Sequence, residues 1–385
     1  MNVSSATSPQ FVQPLTGKTF GLDKAIWCSP DKTPLMVSTL PGITRNDLDS
    51  GTRSIWRYAK SLPLKIDRPI CLGEGGTPLV SGQFEGANYR FKLEWFSPTG
   101  SFKDRGASVL MSYIRHLGIT SVVEDSSGNG GAAIAAYGAA AGMNVEILVP
   151  AYTQPSKVAQ IRAYGANVTL VPGTRQDTED AAIALSNHVF YASHNWHPMF
   201  LQGTKTLGYE IWEDLGFKAP DNIVIPAAAG SNVLGCHLAF EELQAAGEID
   251  RMPRIFVTQP KNCCPLHYAL NPDLLEEHAP SFEPTIAEGT AIRQPIRLSE
   301  MIEAVSVTGG TTAVLSENEI LKAALSLAKQ GIYTEPTSAH AAAGASQLLR
   351  RGHINPDDET IVILTGSGLK ATQFYADHFS KTTTA

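Results

Sequence analysis

Ser97-Pro98-Thr99-Gly100-Ser101-Phe102-Lys103-Asp104-Arg105-Gly106 is the stretch on which the reading of this chain turns. It follows an aromatic-rich run, Tyr89–Phe96, whose composition predicts a strand. Pro98 and Gly100 punctuate the chain as a turn, and a helix is predicted over Asp104–Leu117, closed by Gly118. Lys103 thus falls at a turn-to-helix junction, where the partial positive charge of a helix start disfavours a second cation. An amine depressed in this way attacks carbonyls and forms a Schiff base, whereas the commoner fate of a lysine is a solvated place in the first helical turn.

Outward from that stretch, short apolar runs alternate with helical patterns. Ser121–Asp125, Val145–Pro150, Val168–Val171 and Val189–Ala192 read as strands. Ala132–Ala141, Ser156–Tyr164 and Asp177–Asn187 read as helices between them. The alternation resumes with Thr204–Leu215 (helix), Asn222–Pro226 (strand), a helix running to Gln244, and Arg254–Gln259 (strand). Pro280–Arg297 reads as loop-rich, Ile302–Val307 as a strand, Glu317–Lys329 and Ala339–Arg350 as helices, and Thr360–Thr365 as the last strand. Asp47–Lys60 suits an amphipathic helix. Strands alternating with helices imply an α/β fold with mostly parallel, twisted sheets flanked by helices.

At 385 residues, two domains are the default, and 43% hydrophobic with 17% charged residues is ordinary for a globular protein. A net charge of −7 argues against nucleic-acid partners. Met1–Thr16 shows no signal-peptide pattern, and no run of about 18 apolar residues suggests a membrane span, so a cytoplasmic location is expected. The five cysteines, Cys28, Cys71, Cys236, Cys263 and Cys264, contain no Cys-x-x-Cys pair, and no His-x-x-x-His motif occurs, so no metal site is expected. The terminal Lys381–Ala385 is expected to fray.

The Ser97–Gly106 stretch resembles the cofactor-lysine motif of threonine synthase and its relatives, the fold-type II pyridoxal-phosphate (PLP) enzymes. Ser54-Ile55-Trp56-Arg57-Tyr58, Cys71–Leu79 and Glu288-Gly289-Thr290-Ala291 are similar to other segments of that family. The resemblance implies a large cofactor-binding domain (17–105 plus 196–385) and a small substrate-side domain (106–195). It implies that Lys103 holds PLP and acts as the catalytic base. Asn129 would contact the ring hydroxyl, and Ser126, Ser127 and Gly128 the substrate carboxylate. Asn129 also suits a helix N-cap. Gly230, Ser231, Asn232, Val233 and Leu234 would cradle the phosphate, because small residues between a strand and a helix expose backbone N–H groups at a positive helix end. Thr365 would face the pyridine nitrogen, and a neutral hydroxyl there favours elimination and replacement over transamination. Tyr333 and Glu335 precede a helix and are candidates to approach the site. His194, His197 and His340 are candidate acid–base groups, although a lone histidine more often serves the core. A homodimer and a small amino-acid substrate are implied as well.

One segment departs from the family pattern. Threonine synthases bind the phosphate of O-phosphohomoserine with an Asn-Ser pair and an arginine three residues before Gly-Gln-Lys-Thr. Here the segment is Gly203-Thr204-Lys205-Thr206, and the arginine position is Phe200. Loss of a guanidinium from a phosphate site is not conservative. The expected activity is therefore β-elimination, of ammonia-lyase or dehydratase type, on a small non-phosphorylated amino acid. Threonine synthase itself, with Lys157, Arg162 or Lys205 re-routed to the phosphate, and a β-replacement synthase of cysteate synthase type are the alternatives.

Overall fold

The computed structural model describes residues 8–153, 155–274 and 282–382. An N-terminal antiparallel sheet comes first: β1 (Gln10–Val12), β2 (Thr19–Gly21) and β3 (Met36–Val37), in the order β2-β1-β3. Then β4 (Leu79–Phe84) and β5 (Ala87–Leu93) form a hairpin. Its two turn residues, Glu85 and Gly86, both have positive φ (49° and 83°), the backbone that matches the twist of the flanking strands.

The next block runs α1 (Lys103–His116), β6 (Ser121–Glu124), α2 (Asn129–Ala140), β7 (Asn144–Pro150), α3 (Pro155–Ala163), β8 (Asn167–Val171), α4 (Arg175–Leu185) and β9 (Phe190–Tyr191). Its four strands form a wholly parallel sheet, β8-β7-β6-β9. The chain then returns through α5 (Pro198–Thr204), α6 (Thr206–Asp214), β10 (Asn222–Pro226), α7 (Ser231–Ala245), β11 (Arg254–Pro260) and α8 (Pro265–Leu270). It continues with α9 (Leu298–Val307), β12 (Thr312–Leu315), α10 (Glu317–Lys329), α11 (Pro336–Arg350), β13 (Thr360–Leu364) and α12 (Thr372–Thr382). The second large sheet has the order β12-β11-β10-β13-β5-β4, parallel except for the edge strand β4. Strands β10 and β13, buried on both faces, are the apolar runs Asn222–Pro226 and Thr360–Leu364, as a parallel sheet covered by helices demands.

Several sequence expectations are corrected. Asp47–Lys60 is not one helix but two 3₁₀ turns, Arg45–Asp47 and Ile55–Ser61. Between them Asp49 accepts from Gly51 N (2.9 Å) and Thr52 Oγ1 (2.7 Å), local bonds that compete with helix. Ile302–Val307 is helical within α9, with Met301, Ala304 and Val305 buried at helical spacing. The strand predicted to reach Phe96 ends at Leu93. Strand β12 and helix α12 were not anticipated. Pro280 and Thr383–Ala385 lie outside the described residues. Among the described residues no helix is long and apolar enough to cross a membrane.

Two glycines set how closely the layers approach. A Cβ on Gly203 would lie 2.1 Å from the Arg105 carbonyl oxygen, and one on Gly106 would lie 2.4 Å from the Phe200 ring. The start of α1 and helix α5 are therefore in backbone-to-backbone contact. Thr204 Oγ1 in turn donates to the Ser231 carbonyl (2.8 Å), which ties α5 to the first residue of α7.

Candidate active site

Three adjacent parallel strands of the large sheet, β10, β13 and β5, end at one edge, and each is followed by a segment predicted to be functional. Ligands of open α/β sheets bind at the carboxyl ends of the strands. After β5 comes the turn that leads to Lys103. Asp104 closes this turn by accepting from Thr99 N (2.7 Å) and Thr99 Oγ1 (2.6 Å). Phe102 N donates to Thr365 O (3.0 Å) and Ser367 N to Gly100 O (3.1 Å), so the loop after β13 fixes the turn from the other side.

Lys103 is the first residue of α1, and its Nζ lies 4.6 Å from the Phe102 ring centroid and 5.5 Å from that of Phe200. Burial lowers its pKa from 10.5 to about 8, against the opposing pull of the Glu124 and Glu335 charges. Immediately beneath is a charge cluster that sequence reading did not find. Arg105, fully buried, donates to Glu94 (2.7 and 2.8 Å) and Glu210 (3.0 and 2.9 Å). Lys92 donates to Glu210 (2.7 Å) and Asp214 (2.7 Å). Burial pushes the Glu210 carboxyl up, but Arg105 and Lys92 outweigh it and hold it well below the usual carboxylate range. The cluster clamps α1 to β5 and α6, and so holds the helix that begins with Lys103.

After β10, Gly230 takes a left-handed backbone (φ 85°, ψ 9°) and starts α7. A Cβ there would meet Met301 Sδ at 2.2 Å, so glycine is required both for the turn and for the space. The first intrahelical bond is Leu234 N to Gly230 O (2.9 Å), which leaves the N–H groups of Ser231, Asn232 and Val233 without an acceptor in the helix. The side chains of Val233 and Leu234 are buried in the apolar core and the Leu234 N–H is already bonded to Gly230, so of these two only the Val233 N–H is left for a ligand, and Leu234 drops out of the expected phosphate cradle. Asn232 is 2% exposed, yet neither its Oδ1 nor its Nδ2 has a hydrogen-bond partner. An amide left unpaired in that place marks a missing polar ligand.

After β13, Thr365 shares a hydrogen bond with Ser338 (2.8 Å), and Ser338 Oγ also accepts from Gly366 N (2.8 Å). Ser338, in the first turn of α11, was not singled out from the sequence. Glu335 precedes α11 and accepts from Asn129 Nδ2 (3.1 and 3.3 Å). Its pKa is pushed up from 4.5 to about 7 by burial, against Lys370, Asn129 and Lys103. Lys370 Nζ donates to Thr99 O (3.0 Å) and Gln160 Oε1 (2.5 Å).

The small sheet supplies the facing wall. Ser126, Ser127 and Gly128 form the loop between β6 and α2, and Ser126 Oγ accepts from Gly128 N (3.4 Å). Asn129 is the first residue of α2 and not its N-cap, and its side chain reaches Glu335. Glu124 and His194 share a 2.5 Å hydrogen bond through Oε1 and Nδ1. The other two histidines serve the core: His340 shares a bond with Thr258 (2.7 Å), and His197 caps α5 by accepting from Met199 N (3.1 Å). Tyr333 backs Gly368, where a Cβ would meet its ring at 2.8 Å. Of the cations considered for a substrate phosphate, Lys205 is buried and committed to Glu242 (2.9 Å) and Ser61 O (2.7 Å). Lys157 pairs with Glu288, and Arg162 is exposed.

A buried lysine of lowered pKa, a helix start with unbonded N–H groups and a buried unpaired amide are what an α/β enzyme with a phosphate-bearing, carbonyl-reactive cofactor needs. Residues 70–366 match the family model described as pyridoxal-phosphate dependent enzyme. The chain is 35% identical over 335 residues to a threonine synthase of Methanosarcina acetivorans, covering 84% of this chain and 82% of that protein. It is 33% identical over 328 residues to a threonine synthase of Methanocaldococcus jannaschii, covering 82% and 80%. Among solved structures it is similar to the processed threonine deaminase isoform 2 of Solanum lycopersicum (TM-score 0.64, 22% identity, 76% of this chain and 79% of that one). It is also similar to O-ureido-L-serine synthase (TM-score 0.65, 21% identity, 80% and 94%). The chain belongs to the pyridoxal-phosphate-dependent enzyme family, in its threonine synthase-like, fold-type II branch. It is a lyase, and its cofactor is pyridoxal phosphate.

Proposed function

We propose that the site carries out β-elimination on a small amino acid with no phosphate on its side chain. The cofactor fits the residues present. Lys103 would bond its aldehyde carbon, the N–H groups at the start of α7 and the unpaired Asn232 amide would hold its phosphate, Asn129 would meet the ring hydroxyl, and Thr365 with Ser338 the ring nitrogen. Bound there, the cofactor supplies an electron sink that weakens the Cα–H bond of an attached amino acid. With the cofactor bound, the Lys103 amine would be placed to take the Cα proton of the substrate. The loop Ser126–Gly128 holds the substrate carboxylate. In this reading residues 17–105 with 196–385 hold the cofactor, residues 106–195 form the substrate side, and the enzyme is a cytoplasmic homodimer; light scattering of the purified protein tests the dimer, and cell fractionation the location.

The observation that carries the substrate preference is Phe200. Its fully buried ring lies 5.5 Å from the Lys103 amine, at the position where the family resemblance puts the arginine of a substrate-phosphate site, and Lys205 is already spent on Glu242. A second reading, threonine synthase, is favoured by the relatives named above. Product analysis separates the two: the enzyme is incubated with L-serine, L-threonine and O-phospho-L-homoserine. A 2-oxo acid and ammonia from the first two are expected. Threonine and phosphate from the third at a comparable rate would overturn the proposal.

A further inference from the structure

The pair Glu124–His194 has no part in the chemistry so far described, although it lies within the electrostatic reach of Lys103. It joins the last residue of β6 to the turn that follows β9, two neighbouring strands of the small sheet that pair in parallel at Val122–Phe190 and Val123–Tyr191. Glu124, fully buried, grips one residue with both oxygens: Oε1 meets His194 Nδ1 at 2.5 Å, and Oε2 accepts from the His194 backbone N–H at 3.3 Å. The imidazole is wedged as well. Its centroid lies 5.8 Å from that of Phe200 at 65°, and a Cβ on Gly130 would stand 2.7 Å from Nδ1 and Cε1. The ring therefore has one orientation, against the residue that follows Asn129. His194 keeps 7% exposure, and its Nε2 makes no hydrogen bond among the described residues.

We propose that His194 is the catalytic acid that protonates the departing β-oxygen, that Glu124 positions it, and that the substrates are accordingly β-hydroxy amino acids. This rests on the β-elimination reading above. The Lys103 amine and the His194 ring lie against the same Phe200 ring. The two atoms they would serve, Cα and the β-oxygen, are only two bonds apart. A phosphate departs without a proton, whereas hydroxide is a poor leaving group. A site that offers an aromatic wall in place of a cation thus has use for an acid.

The protonation of the pair agrees. Burial raises the Glu124 pKa and lowers that of His194; both directions favour a carboxyl that donates to Nδ1 of a neutral ring, the tautomer the proposal requires, with its hydrogen on Nε2. In the step, Lys103 accepts the Cα proton and the C–H electron pair becomes the Cα=Cβ bond. The C–O pair leaves on oxygen, which takes the Nε2 proton and departs as water. The Glu124 carboxyl proton passes to Nδ1, and the lost proton is later restored from the Lys103 ammonium or from solvent. Hydrolysis of the enamine product gives the 2-oxo acid and ammonia.

The test compares L-serine with β-chloro-L-alanine, whose chloride leaves without a proton, for the cofactor-loaded unaltered enzyme, His194→Asn and Glu124→Gln. For His194→Asn, kcat/KM should fall by about a hundredfold or more on L-serine and by less than about fivefold on β-chloro-L-alanine. Glu124→Gln should show the same bias to a lesser degree. In cofactor-free protein, the imidazole ¹⁵N spectrum should show a protonated Nε2 on His194. Equal losses on both substrates, undiminished serine turnover in His194→Asn, or an unprotonated Nε2 would overturn the proposal. An unaltered enzyme that eliminates chloride but not water would overturn it while leaving the lyase reading intact; elimination from neither would refute both.

Discussion

The depressed pKa of Lys103 sets the pH at which the protein captures its cofactor. Burial brings the amine from 10.5 to about 8. At pH 7 the neutral, nucleophilic form is then about one molecule in ten, against about one in three thousand for an ordinary lysine, a gain of roughly 300-fold. Deprotonation creates the nucleophile, so the capture rate must rise with pH and level off above the folded pKa. Rapid mixing of cofactor-free protein with pyridoxal phosphate, followed by absorbance, should give a rise of about tenfold per unit below pH 7.5 and a plateau above about 8.5. Glu335→Gln should move the bend to lower pH, because the Glu335 charge raises the Lys103 pKa. Stability carries the same signature. The folded pKa lies below the unfolded one, so between pH 8 and 10.5 the unfolded chain binds more protons. Cofactor-free protein should therefore gain up to about 3 kcal/mol across that window, the penalty being full below it. A capture rate still climbing at pH 10 would refute the reasoning.

Other perturbations follow from the geometry. Glu210→Gln leaves Arg105 and Lys92 without their shared carboxylate, and urea unfolding should show a loss of about 3–5 kcal/mol; a loss under about 1 kcal/mol would mean the cluster does not hold α1. Gly106→Ala places a methyl 2.4 Å from the buried Phe200 ring, and overpacking should cost about 1–3 kcal/mol by the same assay. Asn232→Ala removes an amide that has no partner in the folded chain. It should weaken cofactor binding by about tenfold or more, read by equilibrium dialysis, with the melting temperature of cofactor-free protein unchanged.

How much of this was readable in the sequence depends on the range of the interactions involved. The parallel sheets announced themselves through apolar runs such as Val145–Pro150 and Asn222–Pro226, each bounded by turn residues. The lysine turn and the Gly230 loop are local devices, with backbone requirements carried by the residues themselves. The segment 302–307 misled because Val305 and Val307 favour strands, whereas burial of Met301, Ala304 and Val305 on one face decides for helix. The Arg105 cluster joins residues 77, 92, 94, 105, 210 and 214, and nothing local distinguishes a buried glutamate from a surface one. Ser338 likewise became visible only beside Thr365. In the sequence His194 is a lone histidine; its partner Glu124 lies 70 positions earlier, at the end of β6, which pairs with the strand before the His194 turn.

The most direct measurement is to load the protein with pyridoxal phosphate, reduce it with borohydride and map the modified peptide by mass spectrometry. The account predicts one pyridoxyl group per chain, on Lys103, and none in Lys103→Ala. A modification on Lys205 or Lys370 instead, or none at all in a correctly folded protein, would contradict it.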